Sequence, residues 1–131
     1  MEIELLSDPT SPVIMVDDNE DDILLAQICY TDSKLPNPFV GLNSGKELLA
    51  FLDKTLTGEE EMPGLVLLDI NMPGMDGFET LEAIRAQDGF KTVPVILMLT
   101  HSDRPEDERR AMELGANGFH TKPHEVSKYS A

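Results

Sequence analysis

Five short apolar runs alternate with segments of helical period, and that alternation restricts the fold more than any other feature. Val13 to Val16 (VIMV), Phe39 to Leu42, Leu65 to Asp69 (LVLLD), Val93 to Thr100 and Gly118 to Thr121 read as strands. Between them lie four helical stretches. The first runs from Asn19 to about Thr31, with acids in its first turn and the apolar pairs Leu24/Ile28 and Leu25/Cys29. Ser44 caps the second, which carries Leu48, Leu52 and Leu56 on one stripe. Phe78, Leu81 and Ile84 mark the third, ending near Gln87. Pro105 suits the first turn of the fourth, and Gly115 terminates it. Strands alternating with helices predict a parallel sheet covered on both faces, with right-handed crossovers.

Length and charge narrow the functions open to such a chain. At 131 residues it is expected to be one domain, 1–131. No apolar run reaches the length of a membrane span, and the N-terminal MEIELLSDPTSP lacks the basic start of a secretory signal. The single cysteine, Cys29, fits a reducing cytoplasm and reads as a small core residue. A formal charge of −15 argues against binding to nucleic acid or to an anionic membrane. It suits a site that gathers carboxylates around a divalent cation.

In an open parallel sheet, ligands collect beyond the carboxyl ends of the strands. Here those ends carry chemistry. The first strand runs into Asp17-Asp18, the third into Asp69, the fourth into Thr100, and the fifth into Lys122-Pro123. Taken singly, each has an ordinary explanation: helix-start acids, a strand-end hydroxyl, a solvated lysine. Their convergence on one edge is harder to explain that way. Three close carboxylates repel one another, and a hard cation relieves the repulsion. Mg²⁺ takes oxygen ligands and keeps several waters, so two carboxylates and one main-chain carbonyl would serve it. Pro73 and Gly74 bend the chain so that the carbonyl of Asn71 can face such an ion. Lys122 can place a positive charge beside Asp69 or an anion attached to it, and Thr100 can donate a hydrogen bond to the same anion. A cation, a lysine and a hydroxyl around one carboxylate are the parts needed to form an aspartyl phosphate.

The segments VDDNEDD, LVLLDINMPGMDGFE, LTHSD and GANGFHTKP, in that order, resemble the receiver domain of two-component response regulators over a core of about residues 12–123. The resemblance implies a flavodoxin-like, doubly wound five-stranded sheet of order 2-1-3-4-5. It implies a phosphorylation switch, not an enzyme, fed by a histidine kinase or a phosphotransfer protein. Asp69 would accept the phosphoryl group. Asp18 would ligate Mg²⁺ directly, Asp17 through water, and Asn71 through its main-chain carbonyl. Thr100 and Lys122 would contact the phosphoryl group, and Phe119 would be the aromatic that turns inward on activation. The surface formed by the fourth helix and fifth strand would then change.

Three details depart from that pattern. The spacing of 51 positions from Asp18 to Asp69 is long, with the excess in TLTGEEEMPG, as in a single-domain subfamily that works beside phytochrome-type kinases. His101 stands where a small residue is usual, and its bulk would narrow access to Asp69, so His101→Ala is expected to speed phosphoryl turnover. Only HEVSKYSA follows Pro123, too little for a fifth helix of normal length. A short or absent fifth helix leaves one sheet face partly uncovered, which suggests a homodimer or a piece of a longer chain. An aspartyl phosphatase would want an acid two residues after Asp69, where Asn71 stands. A flavin module would want a phosphate-cradling loop where DDNEDD stands. A degenerate receiver that only binds is disfavoured by the complete acidic set. His101, His120 and His124 do not form a convincing zinc set, because Pro123 interrupts any shared helical face.

Overall fold

The computed structural model describes residues 8–100 and 104–121. Its elements follow the predicted alternation: β1 (Val13–Val16), α1 (Glu20–Ser33), β2 (Phe39–Leu42), α2 (Gly45–Leu56), β3 (Leu65–Asp69), α3 (Gly77–Arg85), β4 (Ile96–Thr100), α4 (Pro105–Glu113) and β5 (Gly118–Thr121). The strands form one parallel sheet in the order β2-β1-β3-β4-β5, the doubly wound arrangement expected. The order reverses direction between β1 and β3, which opens a crevice at their carboxyl ends.

The central strands are apolar on both faces because helices cover both. Ile14, Val16, Val66, Leu68, Ile96 and Met98 pack with Leu48 and Leu52 of α2 and Leu81 and Ile84 of α3 in the main core. On the opposite face Met15 and Leu99 meet Ala26 of α1. Cys29 is buried, as its sequence context suggested.

Local chemistry sets most helix starts. Asn19 caps α1 by accepting the amides of Asp21 and Asp22. Ser44 caps α2 by accepting from Glu47. Asp76 and Glu79 close a reciprocal capping box at α3. Pro105 opens α4, and Gly115 ends its last turn with φ +104°.

Four local expectations are corrected. Leu24 and Ile28 are 57% and 48% exposed, so that pair does not form the buried seam of α1. The helix instead buries Ala26 and Cys29, which lie on the stripe turned to the sheet. Leu56 is 62% exposed at the last position of α2, beyond the sheet that covers Leu48 and Leu52. β4 begins at Ile96 rather than Val93, because Val93 is exposed and Pro94 has no amide to donate. The third helix stops at Arg85, and a 3₁₀ turn at Asp88–Phe90 follows, sinking Phe90 into the core. The expectation of a short fifth helix falls outside the described residues.

Candidate functional site

Strand register assembles the site. Val16 lies opposite Leu68, so the next residues, Asp17 and Asp69, leave the sheet side by side. Asp69 lies opposite Leu99, so Thr100 follows one step further along β4. Thr100 in turn lies opposite Thr121, the last described residue of β5. The carboxylates of Asp17, Asp18 and Asp69 offer oxygen atoms that all fall within 4.8 Å of one another. Asp17 and Asp69 are buried, Asp18 is exposed, and Thr100 is 1% exposed. The cluster is thus a cup: two acids in its floor and one at its mouth.

The turns hold these acids in place. One oxygen of Asp17 accepts the backbone amide of Asn19 at 2.9 Å. The Asn19 side chain is itself tied down by the Asp21 and Asp22 amides at 2.9 and 3.3 Å. One oxygen of Asp69 accepts the amide of Asn71 at 3.4 Å. Beyond Asn71, Gly74 takes φ +76°, and Met72 folds back into the core. Gly77 then brings the start of α3 against the end of β3. Its amide donates to the Ile70 carbonyl at 2.8 Å, and a Cβ there would overlap the Asp69 carbonyl and the Ile70 Cα.

Of the sequence-predicted residues, Asp17, Asp18 and Asp69 converge, and Thr100 is placed on the adjoining strand end. Asn71 is exposed in the turn directly after Asp69. Phe119 is half-buried on β5, opposite Met98 and packed on the main core. Lys122 and His101 lie outside the described residues. Sequence reading missed the work of Asn19 and Gly77. The apolar positions Phe78, Leu81 and Ile84 pointed to α3, but only packing shows that Gly77 sits against the strand that carries Asp69.

The donor set fits a hard divalent cation: clustered carboxylate oxygens, with no cysteine or histidine among them. A transition-metal site of soft ligands would look different. Burying two carboxylates is costly unless charge or hydrogen bonds compensate. A cation is one such compensation.

A doubly wound 2-1-3-4-5 sheet with an acidic cup at its switch point, and a buried threonine on the next strand end, defines a class: the receiver domain, a phospho-accepting switch of two-component signalling. The chain belongs to that family, whose description, response regulator receiver domain, matches residues 10–130. Among its relatives is response regulator Rcp1 of Synechocystis sp., 34% identical over 119 residues, covering 88% of this chain and 79% of that protein. Two-component response regulator ORR1 of Oryza sativa subsp. japonica is 34% identical over 113 residues, 85% of this chain. The chain spans about half of that rice protein, 48% of its length. Among solved structures, a phosphorylated cyanobacterial phytochrome response regulator, RcpA, superposes with TM-score 0.80 at 30% identity, covering 92% of this chain and 86% of that one. The Mn²⁺-bound form of Rcp1 superposes with TM-score 0.79 at 27% identity, covering 92% and 89%.

Proposed function

We propose that residues 1–131 act as one receiver unit in which Asp69 carries a transient phosphoryl group. The single observation that carries this reading is the acidic cup, with Asp69 in its floor between Asp17 and Thr100. A carboxylate oxygen of Asp69 attacks the phosphorus of a phosphohistidine. The O–P bond forms as the N–P bond to the imidazole breaks, and the donor histidine leaves with its electron pair. Hydrolysis later restores the carboxylate. Because Asp69 is consumed in each event, the chain is a switch that takes part in its own modification, not an enzyme acting on a separate substrate.

Asp17, Asp18, Asp69 and the main-chain carbonyl of Asn71 would hold Mg²⁺. When bound, it supplies positive charge next to the incoming phosphoryl oxygens. Asn19 keeps one Asp17 oxygen engaged, so the carboxylate is held before any ion arrives. Thr100 supplies a hydroxyl for the new phosphate, and Lys122 a cationic partner. Phe119, half-buried beside Met98, is the side chain whose packing changes when Thr100 moves, which transmits the event to α4 and β5. His101 limits access to Asp69.

The donor is a histidine kinase or a phosphotransfer protein. The likeness to a cyanobacterial phytochrome response regulator favours a light-sensing kinase. The acidic balance argues against nucleic acid and anionic membranes as partners, and no helix among the described residues is long and apolar enough to cross a membrane. A cytoplasmic location fits the lone buried Cys29. A homodimer is the arrangement to examine once phosphate is on.

Intact mass after incubation with Mg²⁺ and acetyl phosphate tests the reading. A phosphate-sized gain that disappears in Asp69→Asn and after chelation supports it. No gain at any donor concentration, or a gain that survives Asp69→Asn, overturns it.

A further inference from the structure

The phosphorylation site leaves the far edge of the sheet unexplained. The sheet ends on β2, and among the described residues no strand pairs with its outer side. Pro38 and Leu42 turn their carbonyls toward β1, where they accept the amides of Val13 and Asp17 at 2.8 and 3.0 Å. Alternation along a parallel ladder therefore points the backbone groups of Phe39 and Gly41 outward. On the α2 side of this edge runs a groove of about 590 Å³ whose apolar wall includes Val40, Leu42 and Phe51. Glu47, Glu60 and Glu61 stand around it, with Lys54 the one cation among its lining residues.

The loop between α2 and β3 also builds the groove. Glu60 and Glu61 belong to the 57–64 segment between α2 and β3. That segment is pinned rather than loose: the Glu59 and Glu60 amides donate to the Lys54 carbonyl at 3.0 and 3.1 Å, and the Gly64 amide donates to the Pro12 carbonyl at 3.0 Å. The loop therefore presents acids at a fixed place beside an open strand edge.

We infer that the β2 edge is a strand-addition site for an extended segment of a partner protein, one that carries alternating aliphatic side chains with lysine or arginine at its ends. Main-chain bonds to Phe39 and Gly41 supply the pairing, and aliphatic side chains on one face enter the groove. The flanking cations answer Glu47, Glu60 and Glu61. Two other occupants fit the charges poorly. A second copy brings the same three acids and a formal charge of −15 to its own image. Residues 1–7 of this chain carry Glu2 and Glu4 and no lysine or arginine.

The test is backbone amide NMR of the full chain titrated with the peptide acetyl-Lys-Lys-Val-Thr-Ile-Thr-Val-Lys-Lys-amide. Shifts should concentrate at residues 39–43, 47–54 and 59–62, and the Phe39 and Gly41 amides should gain exchange protection. Replacing the central Ile of the peptide by Pro should abolish binding. The double variant Glu60→Lys, Glu61→Lys, altered only in exposed loop residues, should bind about fivefold more weakly, the size of two exposed charge pairs. Four results overturn the inference: no shifts at the edge; shifts spread equally over the acids opening α4, with the Pro peptide binding as well; NOEs in the free protein from Ile3 or Leu5 to Phe51, which give the groove to the chain's own N-terminus; or self-association that perturbs the same amides, which gives it to a second copy.

Discussion

The two ends of the parallel sheet solve opposite problems. At the carboxyl end, like charges gather: Asp17, Asp18 and Asp69 share one cup. At the amino end of β4 a single cation settles many acceptors. Arg85, at the last turn of α3, donates to the carbonyls of Gly115, Phe90 and Pro94 and to the Asn117 side chain, all at 3.0–3.1 Å. Asn117 passes the connection on, accepting the Ile96 amide at 2.9 Å and donating its own amide to the Ile96 carbonyl at 2.8 Å. Burial pushes the Arg85 guanidinium down from its ordinary value, yet its fork remains charged and makes four hydrogen bonds. At one end a cation of the chain meets many acceptors; at the other, carboxylate oxygens gather closely enough to hold an added cation. The difference separates a region built for stability from one built for exchange.

That contrast can be broken most severely at the arginine. Arg85→Ala leaves three carbonyls and the Asn117 oxygen short of a donor and should cost about 3 kcal/mol or more in urea unfolding. Arg85→Lys should recover only part, because an ammonium cannot span the same fork. If Arg85→Ala unfolds like the parent, the amino end of β4 is not an anchor of the fold.

Cation binding sharpens the other half. Mg²⁺ at a hundredfold its dissociation constant should stabilise the chain by about 2.7 kcal/mol. Asp17→Asn should remove most of that gain while Arg85→Lys keeps it. Equal Mg²⁺ stabilisation of the parent and Asp17→Asn, read as thermal midpoints, would separate the cup from the metal.

A smaller effect is expected at Asn19, which joins the cup to a helix cap. Asn19→Ala should cost about 1 kcal/mol and weaken Mg²⁺ binding, whereas Asn19→Ser, which keeps a capping oxygen, should restore much of both. A stability loss with unchanged Mg²⁺ affinity confines Asn19 to capping.

The smallest effect tests the amino end near β2. The Tyr30 hydroxyl donates to the Asn37 carbonyl at 2.9 Å, and burial pushes its pKa above the ordinary 10.0. A raised value in the fold means that its contribution is whole below pH 10 and is lost as pH climbs through the raised value. Tyr30→Phe should therefore be less stable than the parent at neutral pH, with the gap closing above pH 10. A gap constant across that window removes Tyr30 from the pH response.

Much of this protein is legible in its residues because its rules are local. Short apolar runs between segments of helical period placed β1, β2, β3 and β5, and capping chemistry placed the starts of α2 and α4. Asp17, Asp18 and Asp69 were visible because each ends an apolar run, and a parallel sheet sends all such ends to one edge. The same local rules misplaced Leu24, Ile28 and Leu56. Amphipathic spacing says that a helix has an apolar stripe, but only the sheet beneath decides which stripe is covered and where cover stops.

What tertiary structure alone decided is register and closeness. No pattern along the chain states that Val16 lies opposite Leu68, yet that pairing is what sets Asp17 beside Asp69. None announces that Gly77 must be glycine because a strand carbonyl lies against it, or that Arg85 serves segments about 30 residues away. Sequence determined which groups reach each edge of the sheet. Packing fixed the distances between them, because close-packed interiors permit few arrangements of the same elements.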